Sequence, residues 1–156
     1  MANYPELETL LQSNEIDDIL ISLDNYINEL CEYGENINVL TKPQMTFFLN
    51  QNFEKEINNG GLNQFFYNSS GEFSFETVQS LKEIKAFYTA TILEEAICQF
   101  PNNNVPKDRD SREEIIEEIE HIANDVWEDL DSKLYEYEDN LSELNLSYIR
   151  NNIKYF

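Results

Sequence analysis

Apolar residues recur at three- and four-residue steps along almost the whole chain, and no segment alternates with period two for long enough to make a strand. Pro5 to Gln12 predicts a short helix with Leu7, Leu10 and Leu11 facing inward. Ile16, Ile19, Leu20, Leu23, Ile27 and Leu30 predict a helix of about 17 residues closed by Gly34. Thr41-Lys42-Pro43-Gln44 reads as a capping box, with Gln44 placed to reach back to the cap and Pro43 tolerated in the first turn. Met45, Phe48, Leu49, Phe53 and Ile57 carry that helix to an end near Asn58, where Gly60 and Gly61 suit a left-handed exit that a Cβ would resist.

Beyond Gly71, Ser74 is placed to cap a helix buried through Val78, Leu81 and Ile84, with Phe73 packing on Val78. A helix from about Ala86 to Gln99 turns Phe87, Ala90, Leu93, Ala96, Ile97 and Phe100 inward and stops at Pro101. From Asp110 or Ser111 a long helix of about 25 residues, roughly 37 Å, runs to Tyr135. Its stripe is Ile115, Ile119, Ile122, Val126, Leu130 and Leu134, with Ile116, Ala123 and Trp127 beside it; the pattern leaves open a break near Asn124. A last helix spans about Leu141 to Lys154, with Leu144, Tyr148, Ile149 and Ile153 inward. The pattern predicts an all-α fold of about six to eight helices forming one domain over residues 1–156.

Charge changes this picture from an ordinary helical domain to an unusual one. The chain holds 10 Lys plus Arg against 31 Asp plus Glu, a net charge of −21, where small soluble domains carry a magnitude of about 2 to 8. Residues 1–36 contain nine acids and no base, residues 107–143 fifteen acids and four bases, and the stretch between them is nearly balanced. No basic cluster exists to contact phosphates, so direct binding of nucleic acid is not expected.

Candidate chemistry is sparse. His121 is the sole histidine and stands among Glu118, Glu120 and Asp125, where it reads as an exposed helix residue with no Ser-His-Asp arrangement around it. Cys31 and Cys98 have no metal-ligand spacing and read as two buried free thiols. Asp108-Arg109-Asp110 and Asp129-Leu130-Asp131 lack the glycine and terminal glutamate of a calcium loop. The expectation is a protein without catalytic residues, metal or cofactor. No leader-like start and no apolar run of membrane-spanning length appears, so a cytoplasmic location without membrane contact is expected.

Three of the four glycines fall in Asn58-Asn59-Gly60-Gly61-Leu62-Asn63-Gln64-Phe65-Phe66-Tyr67-Asn68-Ser69-Ser70-Gly71. If Leu62 to Tyr67 is helical, Gln64 and Asn68 project from one side, while Phe65, Phe66 and Tyr67 cover much of the rest. Asn59, Gly60, Gly61, Gln64, Phe65, Phe66, Asn68, Ser69, Ser70 and Gly71 therefore read as an architectural motif satisfying helix ends and turns, with a polar ligand pocket as the alternative. This motif, with Leu93-Glu94-Glu95-Ala96, Phe100-Pro101, Leu134-Tyr135-Glu136-Tyr137 and Tyr148-Ile149-Arg150, resembles a bacterial DNA-mimic protein family over roughly residues 40–151. The resemblance implies an all-helical domain that binds another protein; it carries no catalytic residues.

The acidic helix supplies the candidate surface. Glu113, Glu114, Glu117, Glu118, Glu120, Asp125, Glu128, Asp129 and Asp131 place about one carboxylate per 4 Å of axis, against one phosphate per about 3.4 Å on each DNA strand. Like charges at i,i+4 repel, and few lysines relieve them. Glu113, Glu114, Glu117, Glu118, Asp125, Glu128, Asp129 and Asp131 are the expected contacts to a basic partner, a DNA-binding regulator or nucleoid protein. The alternatives are an immunity-type inhibitor of a basic toxin or nuclease, or a helical scaffold whose acidity is incidental. The oligomeric state stays open, a homodimer included.

Overall fold

The structure, a computed structural model, describes residues 6–156 and forms its elements around one long helix. Seven α-helices are present among the described residues: α1 (Leu7–Leu10), α2 (Ile16–Leu30), α3 (Lys42–Tyr67), α4 (Ser74–Glu83), α5 (Phe87–Ile97), α6 (Arg109–Tyr135) and α7 (Leu141–Asn151). Short 3₁₀ turns join them at Glu32–Gly34, Ile37–Val39, Ser69–Phe73 and Pro101–Asn103, and one follows α7 at Ile153–Tyr155. The expected all-α fold is what forms. The predicted helix start at Pro5 lies outside the described residues.

The spine is α3, which serves two hydrophobic clusters. Its first half gives Phe47, Phe48 and Leu49 to a core with Leu20, Leu23 and Ile27 of α2, Ile149 of α7 and the terminal Phe156. Its second half gives Phe53, Ile57, Leu62, Phe65 and Phe66 to a larger core with α4, α5 and α6. Aromatic rings run through that second core: Phe66 lies 5.0 Å from Phe100 and 5.2 Å from Trp127, and Phe65 lies 5.2 Å from Phe53. Such pairs add about 0.5–1.5 kcal/mol each beyond the area they bury. The capping box forms as expected, Gln44 N donating to Thr41 Oγ1 at 3.2 Å and Thr41 N to Gln44 Oε1 at 2.9 Å. The Thr41 hydroxyl also donates to Tyr155 O at 2.9 Å, tying the chain end to the start of α3.

Several expectations are corrected. The helix does not end near Asn58: α3 breaks at Gly61 and resumes to Tyr67. Ser74 lies within the first turn of α4 and gives its hydroxyl to Gly71 O at 2.7 Å, so no side chain caps that helix. The cap of α6 is Asp108, whose carboxylate accepts from Ser111 N at 2.9 Å, and the helix runs past Asn124 without a break. The last α-helix stops at Asn151, and a 3₁₀ turn takes the chain on to Phe156.

Most of the expected α6 stripe lies in or against the core, but its deepest line falls one residue to the side and Ile122 is left outside. Its buried seam is Arg112, Ile116, Ala123, Trp127 and Leu130, while Ile115, Ile119 and Val126 sit half-buried on its shoulder and Ile122 is 64% exposed. The reason is α5: Ala123 and Ala96 are small, and the Trp127 indole N–H donates to Ala96 O at 3.1 Å. That pairing turns the largest ring inward and the β-branched row sideways. Phe87 likewise points outward at the start of α5, and Cys98 is exposed past its end, leaving only Cys31 as a buried thiol.

Candidate functional site

Two sets of polar residues meet on α6, and they behave in opposite ways. The first surrounds the break in α3. Gly61 has φ +78° and ψ −168°, and a Cβ there would stand 2.2 Å from Asp131 Oδ2. A restarting helix exposes orphan N–H groups, and α6 supplies an acceptor from outside: Asp131 Oδ1 takes the Leu62 N–H at 2.8 Å. Burial raises the Asp131 pKa, against the lowering effect of that bond, and neighbouring Glu128 adds to the rise. Gln64 and Asn68 do project from one side, and both amides donate to Glu56 Oε2, at 2.7 and 3.1 Å. Asn63 bonds Asn124 at 2.8 Å, and the Tyr135 hydroxyl donates to Ile57 O at 2.9 Å. Asn59 and Gly60 are exposed at the outside of the bend.

The second half of the motif is held by a residue that pattern reading passed over. Arg112 is fully buried. Its Nε donates to Phe66 O at 2.6 Å, Nη2 to Asn68 O at 2.9 Å, and Nη1 to Pro106 O and Lys107 O at 3.0 Å each. A planar fork of donors suits the carbonyls left over where a helix ends. Gly71 is required by this close approach, since a Cβ would fall 2.3 Å from Phe66 O and 2.6 Å from Arg112 Nε. Ser70 Oγ donates to Phe65 O at 2.8 Å. Burial pulls the Arg112 pKa down, Arg109 adds to that, and Glu72, Glu113 and Asp108 work against it. The side chain nonetheless stays charged. The signal was available: Arg112 stands one turn before Ile116, on the buried face.

The second set faces away. Glu114, Glu117, Glu118, Asp125, Glu128 and Asp129 are all exposed, on the sector of α6 opposite its seam. Only Asp129 among them meets a cation, Lys133 at 3.5 Å; the other five have no ion pair among the described residues. Glu113, half-buried, is held by Arg109 Nε at 2.8 Å. Asp131, predicted to belong to this array, is turned inward to the α3 break. Residue 131 lies about 240° round the helix from residue 125, which places it on the side packed against α3.

The acidic α2 contributes separately. Asp17, Asp18 and Glu29 are exposed, but Asp24 is buried against Lys55 at 2.5 Å and Asn28 at 3.0 Å. On α3, Glu54 lies within 3.3 Å of the Tyr137 hydroxyl, and its pKa is raised by burial, with Asp17 adding to the rise. Helix α2 packs on α3 and α7, while α6 packs on α3 and α5. His121 is exposed, and no group of His, Cys, Asp and Glu among the described residues is arranged to hold a metal. No helix among them is long and apolar enough to cross a membrane.

The class defined by this geometry is an all-helical, strongly acidic protein built on a broken central helix. A family model described as DMP19-like protein matches residues 38–152, and the chain belongs to that family of DNA-mimic proteins. The match opens just before α3 and closes after α7, so it takes in the α3 break, Arg112 and all of α6, and leaves out α1 and α2. Searches of curated proteins and of solved structures gave no match.

Proposed function

We propose that this protein works as a DNA mimic, its outer α6 face occupying the basic groove of a nucleic-acid-binding protein, a transcription regulator or a nucleoid protein. One observation carries the reading: Glu114, Glu117, Glu118, Asp125 and Glu128 are exposed on one helix face without a compensating cation among the described residues. Leaving like charges side by side costs a few tenths of a kcal/mol per pair. A partner with Lys and Arg side chains recovers that cost on binding. Selectivity then comes from shape and charge placement, because a mimic offers no base edges.

The test is affinity capture from the native host, followed by titration of each recovered regulator against labelled operator DNA with this protein as competitor. Competition should weaken steeply between about 50 and 200 mM salt, as phosphate contacts do. The combined Glu114→Gln, Glu117→Gln, Glu118→Gln, Asp125→Asn and Glu128→Gln variant should lose at least about tenfold in affinity. Competition that ignores both salt and this variant would sink the reading.

A further inference from the structure

A cavity of about 410 Å³ lies between the middle of α3, residues 33–37 and the 3₁₀ turn Ser69–Phe73. Helix α6 contributes nothing to its lining. Its walls are aromatic: Phe48 and Phe65 come from α3, Phe73 from the turn, and Tyr33 from the opposite side. Tyr33 is 75% exposed, held at the mouth by three successive left-handed residues, Glu32, Tyr33 and Gly34, with φ of 52°, 56° and 99°. Two exposed carboxylates, Glu35 and Glu72, also line it, and among the described residues no lysine, arginine or histidine does.

Apart from Ser70, bonded to Phe65 O, most polar side chains here are unspent, unlike those around the α3 break. Glu35, Glu72, Asn52 and Ser69 make no side-chain hydrogen bond or ion pair among the described residues. Thr77, 1% exposed, also lines the cavity. The nearest base, Lys107, is taken up outside, bonded to Glu76 at 2.6 Å and lying 5.8 Å from the Phe73 ring centroid. Phe73 therefore already offers one face to an ammonium group.

Aromatic faces attract cations through the ring quadrupole, and the exposed Glu35 and Glu72 carboxylates beside them are free to accept charge-assisted hydrogen bonds from a cationic donor. We propose that this cavity binds an organic cation, a primary ammonium or guanidinium carried on an aliphatic stem. The stem lies against Phe48 and Phe65, and the charge is shared between Glu35, Glu72 and the Tyr33 ring. Such a group comes either from a free polyamine or from a Lys or Arg side chain of another protein. The site is independent of the acidic α6 face.

Spermidine and the blocked peptide acetyl-Gly-Lys-Gly-amide are titrated separately into the full chain, with calorimetry and amide chemical shifts as readouts. Saturable shifts are expected at Gly34, Ser69 and Ser70. The Glu35→Gln/Glu72→Gln variant should bind about tenfold more weakly, and Tyr33→Ala, at an exposed position, about threefold more weakly. Neutralising Glu114, Glu117 and Glu118 on α6 should leave binding unchanged. Tighter binding of spermidine identifies a free amine as the ligand; tighter binding of the peptide identifies a protein side chain. Failure of both to saturate, or shifts spread along α6 that vanish with the α6 substitutions, would overturn the proposal, because the cation would then be a counterion of the whole surface.

Discussion

Asp129 and Asp131 stand two residues apart on the same helix and do opposite things. Asp131 is drawn into the α3 break and caps a helix that is not its own, while Asp129 lies on the outer face and meets only Lys133 one turn away. The same division runs along all of α6. One side spends Arg112, Asn124, Trp127 and Asp131 on main chain and amides of other elements; the other leaves the side chains of Glu114, Glu117, Glu118, Asp125 and Glu128 without ion-pair partners among the described residues. The sign of a charge does not by itself decide a residue's role, as Asp129 and Asp131 show. What distinguishes them is whether a polar group has a fixed protein partner, and so whether removing it should cost stability or binding.

The largest effect should come from the inner side. Arg112→Ala strips four carbonyl oxygens of their donor, Phe66 O in a buried bond and the other three in part-buried ones, and a buried unsatisfied group costs about 1–3 kcal/mol. A loss of about 3–5 kcal/mol in unfolding free energy is expected, measured by urea denaturation. Arg112→Lys should recover only part of it, since an ammonium cannot reproduce the fork. If Arg112→Ala unfolded with an unchanged midpoint, the split between structural and free sides of α6 would be wrong.

The two glycines at the break sharpen the comparison on α3. Gly61→Ala forces a side chain into a left-handed backbone and onto Asp131, so a loss of about 1–3 kcal/mol from the backbone is expected, with the clash on top. At Gly60 the nearest atoms to an added Cβ belong to the Gln64 side chain: Oε1 at 2.0 Å and Cδ at 2.7 Å can swing away at the expense of the bond to Glu56, and Cβ at 2.9 Å needs a small backbone shift. Gly60→Ala should therefore cost much less, and equal losses at the two positions would contradict the geometry.

These particulars show what the sequence made legible. The capping box at Thr41 and the buried faces of α2 and α3 could be read because each depends on neighbours within one turn. The glycine motif was visible as architecture, but not the position of its break, because the break is fixed by Asp131, seventy residues further on. Charge counting treated Asp131 as one more outward carboxylate and passed over Arg112 as a minority base. Both errors have one cause. A charged residue facing inward is decided by long-range partners, which periodicity does not report. Ile122 and Phe87 failed differently, since helical spacing gives a face but not which neighbour covers it.

Titration offers a gentler probe of the inner side. The pKa values of Glu54 and Asp131 are both raised by burial, so the folded state holds these protons more tightly than the unfolded chain does. The contribution of these two groups to stability should then be lowest above their raised values and climb as pH falls through them toward the ordinary carboxylate range, below which the unfolded chain is protonated as well. Asp131→Asn keeps an acceptor for Leu62 N–H and removes the charge, so it should flatten this dependence with little loss at neutral pH. Asp131→Ala should lose about 1 kcal/mol, the ordinary worth of a cap. Thermal unfolding across the pH range, on the two variants side by side, separates the cap from the charge.

The smallest expected effect belongs to the outer side. Raising salt shortens the screening length from about 10 Å at 0.1 M to about 3 Å at 1 M, which relieves repulsion among exposed carboxylates and touches little else. A rise in melting temperature of about 2–4 °C is expected, equivalent to about 1 kcal/mol for a chain of this size. The five-site α6 variant, already relieved of that repulsion, should start higher and respond less. A response equal in both proteins would place the salt-sensitive repulsion elsewhere, with the acidic α2 the first region to neutralise in turn.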